Sequence, residues 1–215
     1  MISKLDELTI VIESNKPDIV CITETWLSPE VESNFVTLHG YSLTRSDRTL
    51  KKGGGTAIYI RENIAYKESS FQEFVGEEAE GTLVELHDLN MAILCVYIPP
   101  DRNAQTLGTL ESVIFQQIDA QFSKSPDRKV VILGDFNRFD VRLLEASLSL
   151  TDIVDQPTRG KNILDHILIS ENLKLVYDSS QVSYNAPIGK SDYLTLLATP
   201  NNFTEYHNCI RKHIV

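Results

Sequence analysis

This sequence is short of sulfur, long apolar runs and positive charge, and each shortage excludes a class of protein. Its three cysteines, Cys21, Cys95 and Cys209, show no paired spacing, so there is no disulfide framework to read. Cys21 and Cys95 sit inside apolar, strand-like runs, as reduced core residues of an intracellular protein do. No apolar run is long enough to span a bilayer, so no membrane partner is expected. Residues 1–15 mix acids among their apolar positions and carry no small-residue cleavage site, so the protein is expected not to be secreted. Asn202-Phe203-Thr204 matches a glycosylation acceptor, but without a secretory signal it reads as chance. Lys and Arg number 20 against 30 Asp and Glu, a formal net charge of -10. That balance argues against binding nucleic acid by bulk electrostatics. It leaves room for a local basic face, such as Arg45, Arg48, Lys51 and Lys52, or for a divalent metal that reverses the sign of a site.

What is present is an ordinary globular composition, 42% hydrophobic and 23% charged over 215 residues, enough for one large core. Repeats, low-complexity stretches and linkers are missing, so residues 1–200 read as one domain and 201–215 as a polar, frayed tail. Ile2, Leu5, Leu8 and Ile12 predict a helix over residues 3–14, stopped by Asn15-Lys16-Pro17. Leu107, Leu110, Ile114, Ile118 and Phe122 predict a second. Asp140 could cap a third over residues 141–150. Residues 83–87 and 91–98 read as a hairpin turning at Asp88-Leu89-Asn90. Gly53-Gly54-Gly55 lacks the lysine and following helix of a phosphate-binding loop and precedes a strand, so it reads as a flexible loop or a close backbone approach.

The pattern that points to chemistry is four carboxylates where strands should be apolar. Val130-Val131-Ile132-Leu133-Gly134-Asp135-Phe136-Asn137 is an unbroken apolar run that delivers a carboxylate and an amide to the rim of a sheet. The run at residues 18–24 ends in Glu24, that at 163–169 contains Asp165, and Asp192 opens the last strand, 194–198. Any one could cap a turn or pair with an arginine. Four together with Asn137 suggest convergence on a cation, because unpaired buried carboxylates are costly. Oxygen-rich, histidine-poor ligation suits Mg²⁺ or Mn²⁺ rather than Zn²⁺. Alternation along a strand points Asp165 and His166 to opposite faces.

Six motifs in order carry a resemblance: Thr23-Glu24-Thr25-Trp26-Leu27, Gly53-Gly54-Gly55, Val96-Tyr97-Ile98-Pro99-Pro100, Gly134-Asp135-Phe136-Asn137, Thr158-Arg159-Gly160 before Leu164-Asp165, and Gly189-Lys190-Ser191-Asp192. The chain resembles the endonuclease domain of non-LTR (LINE-type) retrotransposons, within the endonuclease/exonuclease/phosphatase superfamily that includes apurinic endonucleases and DNase I. The resemblance implies a four-layer α/β sandwich, two mainly antiparallel sheets with helices outside. It implies Mg²⁺ (or Mn²⁺), DNA as partner, nuclear work, and fusion to a reverse transcriptase in the family. Carried over, Glu24 would ligate the metal and Asp192 would assist it. Asp135 would be the general base, Asn137 would orient water and hold phosphate, and Tyr97 would hydrogen-bond a phosphate oxygen. Asp165 would orient the family's catalytic histidine.

Two departures stand out. The family's last motif runs Ser-Asp-His, whereas Tyr193 follows Asp192 here. Tyrosine can donate a neutral hydrogen bond but cannot carry positive charge near neutrality. The alternation argument turns His166 away from replacing it. The chain also opens on the first helix, so the family's first strand, with its asparagine, is expected to be missing. Three functional readings follow: a metal-dependent endonuclease domain that nicks DNA, impaired by Tyr193 and the missing strand; a catalytically inactive remnant acting as a binding module; and another phosphoesterase of the superfamily.

Overall fold

The computed structural model describes residues 1–49, 51–69, 71, 78–201 and 213–214. Cys209 and Asn202-Phe203-Thr204 lie outside the described residues. Those described form two six-stranded sheets. The first contains β1 (Ile19–Thr23), β2 (Tyr41–Ser46), β3 (Thr56–Arg61), β10 (Val182–Asn185), β11 (Thr195–Ala198) and β12 (His213–Ile214), in the order β10-β11-β12-β1-β3-β2. The second contains β4 (Lys67–Ser69), β5 (Glu80–Leu86), β6 (Met91–Tyr97), β7 (Lys129–Asp135), β8 (Leu150–Asp152) and β9 (Asp165–Ser170), in the order β4-β5-β6-β7-β9-β8. All pairs are antiparallel except β1 with β12 and β6 with β7. Among the described residues three α-helices pack on these sheets: α1 (Leu5–Asn15), α2 (Ala104–Lys124) and α3 (Arg142–Leu148).

Three apolar layers hold these elements together, giving the expected four-layer α/β sandwich. Ile19, Cys21, Ile58 and Ile60 of the first sheet meet Ile93, Cys95, Val131, Leu133, Ile167 and Ile169 of the second. The alternate residues Val20 and Tyr59 turn outward onto Leu8 and Ile12 of α1. Leu94, Val130, Ile132 and Leu168 turn the other way onto Leu110, Ile114 and Ile118 of α2 and Leu144 and Leu148 of α3. Strands covered on both faces need apolar residues at every position, which is why the central runs show no alternation. Cys21 and Cys95 are buried and free, as their setting predicted.

The differences from expectation lie at edges and ends. β2 and β10 are edge strands with half-exposed side chains, so polar residues hide them from pattern reading. α2 starts earlier than its apolar stripe because Asn103 caps it, its side chain accepting from Thr106 N at 2.9 Å. Of residues 202–215 only His213 and Ile214 are described, and they join the first sheet. His213 pairs with Ile19 and Ala198, and Ile214 with Val20 and Leu197, so two terminal residues bridge β1 and β11 in the middle of the first sheet. The first described elements are a 3-10 turn, Ile2–Lys4, and α1.

Candidate active site

Beyond the two rungs of β12, the seam between β1 and β11 widens into a cleft of about 440 Å³. Glu24, Asp135, Asp165, Asp192 and Tyr193 all line it. The four carboxylates thus line one cleft, but only Asp135 and Asp165 are buried, while Glu24 and Asp192 are exposed. Asp135 closes β7, where it lies opposite Tyr97 of β6 on one side and Asp165 of β9 on the other. Gly134 makes this approach possible. Its φ is +140°, and a Cβ there would stand 1.9 Å from the Val96 carbonyl oxygen.

Asp135 is buried, 2% exposed. Its Oδ1 accepts the Asn137 backbone N–H at 3.0 Å, and the Tyr193 hydroxyl donates to its carboxylate. Burial pushes its pKa up to about 6, aided by the negative charge of Glu24. Asp165 is 5% exposed, and its Oδ2 is buried with no hydrogen-bond partner. Burial, then the charge of Asp135 across the ladder, pushes it up to about 7. Thr158 packs beneath it and accepts the Leu164 and Asp165 backbone N–H groups at 3.1 and 3.2 Å.

Glu24 stands exposed just past β1 and accepts the Tyr97 hydroxyl at 2.6 Å. Burial and that carboxylate hold the Tyr97 phenol well above its ordinary value. Asn137 Nδ2 donates to the Ile98 carbonyl at 2.9 Å, which pins the amide beside β6 but outside the cleft lining. His166 faces the other way, with Nδ1 2.6 Å from Asp152 Oδ2 and its ring edge-on to Phe136. The alternation argument holds there.

Sequence reasoning missed three residues. Arg159 was legible only as part of a motif, yet its Nε donates to Asp192 Oδ2 at 2.7 Å and its Nη1 to the Tyr193 hydroxyl at 2.9 Å. Its guanidinium lies 4.7 Å from the Tyr193 ring centroid. Positive charge thus reaches the position where the tyrosine has none. Arg48 and Glu80 form a bidentate ion pair at 2.7 and 2.8 Å, and Arg48 lies 5.6 Å from the Tyr97 ring centroid. No sequence signal joins residues so far apart.

The triple glycine is a close backbone approach. All three residues have positive φ, and a Cβ at Gly53, Gly54 or Gly55 would meet Trp26, Arg48 or Thr25 respectively, the last two at 2.5 Å. The loop is stitched to the strand end by Trp26 N donating to Gly54 O at 2.9 Å and Thr25 N to Gly55 O at 3.3 Å.

The donor set fits a hard divalent cation. Four carboxylates line the cleft, and the buried Asp165 Oδ2 has no hydrogen-bond partner. Among the described residues no three Asp, Glu, His or Cys side chains converge as a ready cage. Mg²⁺ commonly takes one or two carboxylates and completes its shell with water and substrate oxygens.

The sequence profile of the endonuclease/exonuclease/phosphatase family matches residues 3–192. The chain belongs to that family. Enzymes of the endonuclease/exonuclease/phosphatase family are metal-dependent nucleases and phosphatases. Among solved structures, the 3′ phosphatase NExo from Neisseria, bound to a product DNA hairpin, superposes with a TM-score of 0.66 at 16% identity, covering 93% of this chain and 95% of its own. The AP endonuclease LMAP from Leishmania major gives 0.64 at 14% identity, with 90% and 82% covered. The endonuclease domain of TRAS1, a telomere-specific non-LTR retrotransposon, gives 0.60 at 15%, with 89% of each chain covered. At these identities the likeness is one of fold. A comparison with curated protein sequences finds no match.

Proposed function

We propose that this chain is a metal-dependent DNA endonuclease domain of non-LTR retrotransposon type, nicking target DNA in the nucleus. The observation that carries the reading is the buried pair Asp135 and Asp165, adjacent at strand ends, facing a cleft, with one oxygen left unpartnered. Solved neighbours of the same fold were captured with DNA, and one is a retrotransposon endonuclease. The six ordered motifs favour that branch over phosphatases.

In this reading a water attacks the phosphorus of a phosphodiester and Asp135 takes its proton. A carboxylate with a pKa of about 6 is a competent base near neutrality. The bond to the 3′ oxygen breaks, and that oxygen leaves with the electron pair and takes a proton from solvent. Arg159 and the Tyr193 hydroxyl face the charge that builds on the phosphoryl oxygens. Tyr97 donates within the same site, and Asn137 holds the backbone that carries Asp135. Glu24 would hold Mg²⁺ or Mn²⁺, with Asp192 assisting once released from Arg159. The ion would neutralise charge on the phosphate and the leaving oxygen.

The test is nicking of supercoiled plasmid in Mg²⁺. The parent should nick, and Asp135→Ala should slow it by roughly 10²–10⁴-fold. A silent parent rescued by Tyr193→His would locate the defect in that side chain. Silence from both, with cooperative melting retained, would favour the non-catalytic binding module, the reading that tyrosine in place of an imidazole supports.

A further inference from the structure

Trp26 is the chain's one tryptophan, and its placement is at odds with packing. It is 58% exposed, although two residues from Glu24, and lines the same cleft as Asp135 and Tyr193. Its φ is +55°, a left-handed conformation that a bulky residue adopts only when its surroundings impose it. Those surroundings are the glycine loop. The bond to Gly54 fixes the backbone, and Gly53 lies against the indole, its would-be Cβ 3.6 Å from Cε2. Lys52 Nζ stands 5.9 Å from the ring centroid. Lys52 and its sequence neighbour Lys51 are both exposed, on a chain that is acidic overall. A strained backbone is thus held so that a large flat apolar surface, flanked by cations, stands in water at the mouth of the site.

We propose that Trp26 is a stacking platform for a DNA base flanking the scissile phosphate, with Lys51 and Lys52 meeting the adjoining backbone phosphates. This rests on the nuclease reading. Every base offers a π-face, so such a platform grips an unstacked nucleotide with little regard to sequence. It gives an acidic protein a hold on DNA that does not depend on overall charge.

The single tryptophan makes the test direct. A fluorescein-labelled single-stranded oligonucleotide is titrated in Mg²⁺ against the Asp135→Ala protein, reading probe anisotropy and tryptophan emission together. Binding should quench the emission, and an abasic oligonucleotide should bind without quenching. Adding Trp26→Leu should weaken binding by about 5- to 100-fold, Trp26→Phe should restore most of it, and neither should alter the salt slope. In the parent background Trp26→Asn, which tolerates the left-handed backbone, should raise Tm by about 2–4 °C. Anisotropy rising while emission and the Trp26→Leu affinity stay unchanged would overturn the platform and leave the nuclease reading intact. No anisotropy change in any protein would overturn both. A fall in Tm for Trp26→Asn with unaltered affinity would mark the indole as structural, which also overturns the proposal.

Discussion

The second sheet buries carboxylates at both ends of its strands and treats them oppositely. At one end Glu85, 6% exposed, accepts Lys124 Nζ at 2.9 Å and Arg128 Nη1 at 2.7 Å, with Gln121 Nε2 at 3.5 Å. Burial alone would raise its pKa, but the two cations hold it at about 2. At the other end Asp135 and Asp165 face each other with no cation in direct contact, and sit at about 6 and 7. A buried carboxylate on this sheet is held ionised where the fold supplies compensating charge and is raised in pKa where it does not, the electrostatic mark of a candidate site.

The comparison can be broken most sharply at Arg128. Arg128→Ala leaves Glu85 and Gln121 buried beside one solvent-facing lysine, and should cost about 3–5 kcal/mol in denaturant unfolding, with the cleft unaffected. Asp165→Asn should do the reverse. A carboxylate whose folded pKa lies above its unfolded value, about 3.9, stabilises least when ionised. The metal-free protein should therefore lose stability as pH rises from about 4 to about 7, then level off. The substitution should recover up to about 4 kcal/mol at pH 8 and nothing at pH 4, measured by melting in chelator. Failure of that pH dependence would mean that the orphaned oxygen is compensated in solution. Glu85 has the opposite sign, since its contribution is present above about 4.3 and lost as pH falls toward 2. The smallest effect belongs to Lys124→Ala, below about 1 kcal/mol, because its side chain is 53% exposed and Arg128 remains.

How much of this was legible in the sequence follows the same division. The buried strands announced themselves because a chain covered on both faces has only apolar choices, and the carboxylates at their ends stood out against that background. Asp165 and His166 were separated correctly by alternation alone, and their environments now share nothing. The edge strands β2 and β10 stayed hidden because solvent accepts polar side chains there. Arg159, Arg48 and Glu80 stayed hidden because partnership across the chain leaves no local trace. An arginine reads alike whether it is solvated or stacked on Tyr193. At that position tyrosine itself carries no positive charge, and only the fold shows that the Arg159 guanidinium is brought to it.

The two-residue bridge of β12 bears on how the protein comes into being. Its partners Ile19 and Val20 are synthesised well before His213 and Ile214, with the whole second sheet encoded between them. During synthesis the first sheet keeps an open central edge until residue 214 has left the ribosome, so its seam closes after the second sheet can already have assembled. Nascent chains stalled short of residue 213 would carry complete carboxylate strands around an unzipped middle, a window in which that edge is exposed to a chaperone or to another copy of itself.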